Sequence, residues 1–161
     1  MRISPSVKDR TLNAEPVDYT GHFRHGIDGS RRVMLPAKWR PRDSSSKFTI
    51  LPWPIGAEDR LLVLPPERWR EMLQKLKTRS LSDPRIEALE QEIAENATQV
   101  VPDKVGRICL TEEHTRAVRI SGEAELVGRL DKFEIWEPGA REAIRKQNKK
   151  LAAEVLKEID L

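Results

Sequence analysis

Apolar positions along the chain change their period several times, and each change predicts an element. Val33-Met34-Leu35, Phe48-Thr49-Ile50-Leu51 and Leu61-Leu62-Val63-Leu64 are short apolar runs bounded by Gly, Pro, Asp or Ser. Runs of this length with such borders predict strands. Ile108-Cys109-Leu110, Ala124-Glu125-Leu126-Val127 and Phe133-Glu134-Ile135-Trp136 repeat the pattern in the second half, with Gly128-Arg129-Leu130-Asp131 reading as a turn. The period then switches. Trp69, Met72, Leu73 and Leu76 fall at i, i+3, i+4 and i+7, which predicts a helix over 66–78 with Pro66 in its first turn. Ile86, Leu89 and Ile93 predict a second helix over 84–96, capped by Asp83 and opened by Pro84. The tail from 138 to 161 carries Ile144, Leu151, Val155, Leu156 and Ile159 against Arg141, Arg145, Lys146, Lys149 and Lys150. It predicts a solvated helix, the sharper alternative being one that packs on another subunit. Residues 40–47 and 52–59 read as loops, with Trp53 folding back on the sheet. Residues 1–18 show no apolar period and are expected to be a flexible extension.

The strands and helices fall into two similar halves because a motif recurs. Asp28-Gly29-Ser30-Arg31-Arg32 precedes Val33-Met34-Leu35-Pro36, and Asp103-Lys104-Val105-Gly106-Arg107 precedes Ile108-Cys109-Leu110-Thr111. Asp28 and Asp103 are 75 positions apart, and so are Arg32 and Arg107. Two copies with matching flanks point to an internal duplication. Asp and Gly suit a turn, since Asp accepts from local amides and Gly reaches positive φ. A strand–turn–strand unit follows, then further strands and a helix, in each half. The plainest role for the Asp–Arg pair is an ion pair that holds the turn.

Charge adds a second role. Residues 21–42 hold Arg24, Arg31, Arg32, Lys38, Arg40 and Arg42 against the single acid Asp28, in a chain whose net charge is only +3. A basic β-ribbon is the electrostatic footprint of a phosphate-binding face, and two strands fit the major groove of B-DNA. The helix over 84–96 has the opposite sign, with Glu87, Glu90, Glu92 and Glu95 against Arg85. It belongs away from DNA, or against a neighbour's basic surface. Composition, with 34% charged and 38% hydrophobic residues, describes a soluble chain. No run approaches the roughly 20 apolar residues of a membrane span, and no secretory signal is expected. Cys109, the single cysteine, lies in an apolar run and is expected in the core of a cytosolic protein. His22 and His25 lack further ligands for a metal, and no phosphate-cradling or nucleophile motif occurs. The chain is therefore expected to have no catalytic residues, no metal and no cofactor.

Tyr19-Thr20-Gly21-His22-Phe23-Arg24-His25-Gly26-Ile27-Asp28, the stretch 29–40, Leu64-Pro65-Pro66-Glu67-Arg68-Trp69, Ala97 through Arg107 and Phe133-Glu134-Ile135-Trp136 together resemble the MraZ family of bacterial transcriptional regulators. The resemblance runs from about Tyr19 to Trp136. Two departures stand out: glycine is displaced to Gly29 in the first motif, and Thr111 replaces a proline after the second. The resemblance implies an α+β fold: a β-rich, pseudo-two-fold AbrB-like barrel of the double-psi or swapped-hairpin kind, from two tandem repeats with helices after each. It places half-domains at 19–80 and 98–140, a helical connection at 81–97 and a C-terminal helix at 141–161. It implies closed rings of subunits, and binding of double-stranded DNA boxes upstream of the division and cell-wall gene cluster, its own promoter included. A nucleoid-associated, cytoplasmic location follows.

The expected DNA contacts are Arg24, Arg31 and Arg32 along an N-terminal basic hairpin, with Lys38 and Arg40 touching phosphates. Lys104 and Arg107 are the second-copy candidates, and Asp28 and Asp103 the turn residues. Arg32 matches the family's motif arginine, whereas Arg31 is this chain's own addition. Two rival readings stand beside this one: an antitoxin-like module of the same hairpin superfamily, and a structural interaction protein that has lost DNA binding.

Overall fold

A computed structural model describes residues 16–161. Most of the expected N-terminal extension, residues 1–15, lies outside the described residues. The fold is mixed α+β. Among the described residues the strands are β1 (His22–Gly26), β2 (Arg32–Met34), β3 (Phe48–Trp53), β4 (Arg60–Leu64), β5 (Thr98–Val100), β6 (Arg107–Cys109), β7 (Glu123–Gly128) and β8 (Phe133–Trp136). The helices among them are α1 (Pro66–Ser80), α2 (Arg85–Asn96), α3 (Glu112–Ala117) and α4 (Pro138–Glu158), and a short 3-10 turn spans Ala37–Trp39.

Six strands form one antiparallel sheet in the order β1-β7-β8-β4-β3-β5, and β2 and β6 pair separately as a two-stranded ribbon. Each half lends strands to the other. β1 pairs with β7, β5 with β3, and β2 with β6. The strand order therefore reads the same from either end once each strand is exchanged for its counterpart in the other half. This corrects the expected local hairpin. The turn at 28–32 closes on itself, with Arg31 N donating to Asp28 O at 3.0 Å, but the strands leaving it pair with the second half.

Period-2 alternation sorts the side chains into two cores. Ile50, Leu61, Val63, Leu126, Phe133 and Ile135 leave one face of the sheet and pack against Val33 and Ile108 of the ribbon. Leu51, Leu62 and Leu64 leave the other face and are covered by Leu76 of α1 and Ile93 of α2. Because both faces of β3 and β4 are covered, these strands read as continuous apolar runs rather than alternating ones. Helices α1, α2 and α4 start within a residue of where the apolar period predicts, whereas α3 was not expected. Asp83 Oδ1 accepts from Arg85 N at 3.0 Å, and Glu137 accepts from Gly139 N and Ala140 N at 2.9 and 2.6 Å. Trp69, on the apolar face of α1, and Trp53, folded back as expected, are partly buried at the rim of the second core.

Trp39 occupies the middle of the first core. Its ring lies 5.7 Å from Tyr19, 5.2 Å from Phe23 and 5.0 Å from Phe133, and its Nε1 donates to Thr20 O at 3.1 Å. Tyr19 reaches this cluster by strapping across the end of β7, where Gly128 N donates to Gly21 O at 2.9 Å and Leu130 N to Tyr19 O at 3.0 Å. Gly128 permits that approach: a Cβ there would collide with the Tyr19 carbonyl and lie 2.7 Å from its carbon. Both groups are backbone and cannot rotate away. Gly128→Ala is expected to destabilise the protein by about 1–3 kcal/mol, the range for overpacking. A chemical-denaturation midpoint equal to wild type would show that the strap is not held this tightly.

On the face away from the ribbon, Glu134 is buried beside Trp136. Its carboxylate accepts from Arg129 Nη1 at 3.1 Å, Arg60 Nη1 at 3.4 Å and Trp136 Nε1 at 3.0 Å. A buried charge is tolerable only when paired and hydrogen-bonded, and here the pairing joins β4 of one half to β8 of the other. The Arg60 and Arg141 guanidinium groups lie 4.7 and 5.6 Å from the Trp136 ring centre, and the second of these contacts fastens the start of α4 to the sheet.

Candidate nucleic-acid interface

The two repeated motifs build the same turn. In the first, Asp28 Oδ1 accepts from Ser30 N and Arg32 N at 2.9 Å each, while Oδ2 accepts from Arg32 Nε at 2.7 Å. In the second, Asp103 Oδ1 accepts from Val105 N at 3.1 Å and Arg107 N at 2.9 Å, while Oδ2 accepts from Arg107 Nε at 2.8 Å. One carboxylate thus closes the backbone and clamps the arginine four residues on. The halves also exchange equivalent bonds, with Leu110 N donating to Arg31 O at 2.8 Å and Leu35 N to Gly106 O at 2.9 Å.

Ribbon pairing brings the turns side by side. Arg32 faces Cys109 and Met34 faces Arg107 across β2 and β6, with Val33 and Ile108 fully buried beneath. Arg107 Nη1 reaches to 3.9 Å from Asp28 Oδ2, so the second motif's arginine touches the first motif's carboxylate. Arg32 and Arg107 keep 39% and 32% of their side-chain surface exposed. Their Nε is held by the clamp, and the Nη groups of Arg32 bond no protein atom among the described residues. Cys109 is exposed, not in the core. The alternation that buries Ile108 turns its neighbour outward, and an apolar triplet does not reveal which member faces in.

The expected contact residues separate. Arg31, Arg32, Arg40, Lys104 and Arg107 gather at the paired turns. Arg40 lies over the second turn: a Cβ on Gly106 would meet its guanidinium, and its Nη2 lies 3.4 Å from Met34 Sδ. Lys104 is exposed within the second turn. Arg31 has φ 60°, where Gly106 has φ 90° at the matching position. A non-glycine residue there costs about 1–2 kcal/mol; the displaced glycine left Arg31 to bear it. Its side chain is engaged inward, with Nε donating to Leu110 O at 3.1 Å. Lys38 lies further off, its Nζ 3.3 Å from Thr20 Oγ1 and 5.3 Å from the Phe23 ring centre. Arg24 is elsewhere. Phe23 packs into the core, so Arg24 leaves the opposite face of β1, with Nη2 3.8 Å from Glu125 Oε2. Met34 and Cys109 belong to the outward face of the ribbon and were missed by sequence reading; period-2 alternation from the buried Val33 and Ile108 was the available signal.

Asp28 and Asp103 are both held below the usual carboxylate range. The Arg32 or Arg107 backbone amide is the largest cause, and the clamped guanidinium adds to it. A carboxyl whose folded pKa is depressed stabilises the fold above its unfolded pKa, about 3.9 for Asp, and that contribution is lost as pH falls through the folded pKa. The turns' contribution is therefore expected to shrink only in acid, starting as pH drops under the unfolded value of about 3.9 and vanishing below the lower folded pKa, and to be indifferent to pH near neutrality. Carboxyl-carbon NMR titration checks this: Asp28 and Asp103 should titrate below an unstructured peptide, and equal midpoints would refute the clamp.

Among the described residues, no group of His, Cys, Asp and Glu is arranged to hold a metal ion, and no helix is long and apolar enough to cross a membrane. His25 stacks on Phe23 with ring centres 6.5 Å apart.

Fold and turns together define an α+β protein that presents two matched Asp–Arg clamps on one outward ribbon. The family described as "MraZ protein, putative antitoxin-like" matches residues 19–91. A protein of Thermomicrobium roseum named transcriptional regulator MraZ is 34% identical over 120 residues, covering 74% of this chain and 82% of the relative. Proteins of the same name from Nocardia farcinica and Desulforamulus reducens are 28% and 30% identical over 125 and 118 residues, covering 85% and 80% of their length. The chain belongs to the MraZ family of transcriptional regulators, which is not a class of enzymes.

Proposed function

We propose that the paired turns are the DNA-contacting surface of a sequence-specific transcriptional regulator. The observation that carries this is the juxtaposition of the two Asp–Arg clamps on one ribbon, with Arg107 Nη1 3.9 Å from Asp28 Oδ2. Each aspartate holds the Nε edge of its arginine, so the guanidinium is oriented before DNA arrives and loses little rotamer freedom on binding. The outer nitrogens of Arg32 can then meet O6 and N7 of a guanine, the commonest bidentate base contact. Arg40, Lys104 and Arg107 supply phosphate contacts that set register. Arg31 braces the turn through Leu110. Arg24 and Lys38 lie outside this surface and contribute charge at most.

The exchanged strands and matched turns support a tandem AbrB-like barrel with a pseudo-two-fold axis, its halves at 19–80 and 98–140. One such ribbon binds weakly. Several copies in a closed ring engage repeated boxes together, and effective concentration multiplies the affinity. The targets in this reading are boxes upstream of the division and cell-wall gene cluster, including the protein's own promoter, with the protein on the nucleoid. The antitoxin-like reading calls for an acidic arm at the C-terminus. Here α4 is a helix rich in Lys and Arg, which does not favour it.

Fluorescence anisotropy with DNA from the protein's own upstream region, against scrambled DNA across a salt series, tests the proposal. Box-dependent binding that survives physiological salt is expected. Equal, salt-erased affinity for both DNAs would reduce the surface to a general polycation and leave the interaction-protein reading.

A further inference from the structure

Two surfaces of this chain remain unsatisfied, and they complement each other. The first is α4. It is 21 residues long and has no buried residue, and beyond Ile144 every side chain is exposed. Its outer part is divided along its length. Arg145, Lys146, Lys149 and Lys150 come first, then Leu151, Val155, Leu156 and Ile159, which are 47–57% exposed, with Glu154, Lys157 and Glu158 between them. An isolated helix with this many bare apolar side chains lacks the tertiary packing that stabilises most helices, and contiguous exposed apolar surface marks an interaction site.

The second is a cleft of about 360 Å³ between the β3–β4 loop, α2 and α3. Leu51, Pro52, Ile55 and Ala117 give it apolar walls, and Glu58 and Glu92 stand at its rim. Glu95 adds to the acidic outer side of α2, on which Arg85 is the only base. The cleft has room for one or two aliphatic side chains, and its rim has the sign opposite to that of the 145–150 stretch of α4. The chain's own α4 leaves the body beside β7 and does not enter the cleft, since residues 145–161 are exposed throughout.

We propose that the outer part of α4 docks into the acidic cleft of a second copy of this chain, Leu151 and Val155 entering it and Lys149 and Lys150 meeting Glu58 and Glu92. The two surfaces differ, so the contact is head-to-tail, and such contacts generate closed rings when the rotation closes. Parallel α4-to-α4 pairing is disfavoured because it would bring the four bases of one helix against those of the other. The inference deepens the ring of the proposed function and rests on the chain assembling in solution.

Charge reversal on the full-length protein tests it. Lys149→Glu with Lys150→Glu, and separately Glu58→Lys with Glu92→Lys, are each expected to lower the mass measured by light scattering, with unchanged circular dichroism. Mixing the two variants matches acidic helix to basic cleft and basic helix to acidic cleft, so the wild-type mass should return. A cleft variant that keeps the wild-type mass overturns the proposal, because the helix then docks elsewhere. Two folded, dissociated variants that fail to recombine overturn it as well, as does a monomeric wild type. Anisotropy on a single DNA box, run on the same samples, separates the two readings. Loss of assembly with single-box binding retained supports this contact, whereas a wild-type assembly with no box-dependent binding fails the regulator reading alone.

Discussion

Arg32→Ala is expected to lower affinity for the protein's upstream DNA by about 100-fold or more while leaving fold and assembly intact. A bidentate arginine–guanine contact discriminates by roughly 1–3 kcal/mol, and the loss multiplies when two or more subunits are engaged on repeated boxes. The turn itself should survive. Asp28 Oδ1 is held by the amides of Ser30 and Arg32, which alanine retains, and only the side-chain bond from Arg32 Nε disappears. Exposed ion pairs of this kind contribute little to stability. Arg32→Lys is the informative control. It keeps the charge but loses the planar fork, so weak binding to any DNA should remain while preference for the box disappears. The logarithmic salt slope should fall by about 1 per subunit for loss of a phosphate contact such as that of Lys104, and by less for loss of the Arg32 base contact. Unchanged affinity in Arg32→Ala would move DNA recognition off the paired turns.

The largest effect on stability is expected from Trp39→Ala. Trp39 is fully buried, and Tyr19, Phe23 and Phe133 pack around it with ring centres 5.0–5.7 Å away. Removing a buried tryptophan deletes its transfer free energy and leaves a cavity that rigid aromatic neighbours cannot fill, at a cost of about 3–5 kcal/mol. Domains of this size have roughly 5–15 kcal/mol in total. The Thr20 carbonyl, which accepts from Trp39 Nε1, lies in an exposed residue and can turn to water, so the loss is one of packing. A fall in Tm of about 10 °C or more is expected from the usual scaling, or failure to fold. DNA binding should fall with it, because Trp39 lies in the 3-10 turn just after β2 and its packing holds that end of the ribbon. A melting temperature within about 2 °C of wild type, under 1 kcal/mol on the same scaling, would show that the aromatic cluster is not the keystone of this core.

The sequence carried more of the site than of its geometry. Asp28 with Arg32 and Asp103 with Arg107 were legible as clamped turns, because an aspartate, its local amides and an arginine four residues on interact at short range. Helices at 66–80 and 85–96 were legible from the 3.6-residue period and from Asp83 and Pro66. The short helix α3 was missed although its cap was present: Thr111 Oγ1 accepts from His114 N at 3.0 Å, and Glu112 and Glu113 follow in the first turn. Arg31 was legible as an addition to the motif, but its positive φ and inward bond to Leu110 were not.

By itself the sequence determined the mixed α+β class of the fold, the recurrence of the Asp–Arg motif with its two clamps and the basic sign of residues 21–42. Each of these depends on neighbours within a few residues. The tertiary structure alone decided that β1 and β2 leave their common turn for partners in the other half, that the clamps lie together, that Arg24 faces away from them and that Cys109 faces outward. Those outcomes follow from strand pairing across some 75 to 100 residues. Register across such distances is chosen by which faces bury Val33, Ile108, Trp39 and Leu126 in one core, a condition met only when both halves are present.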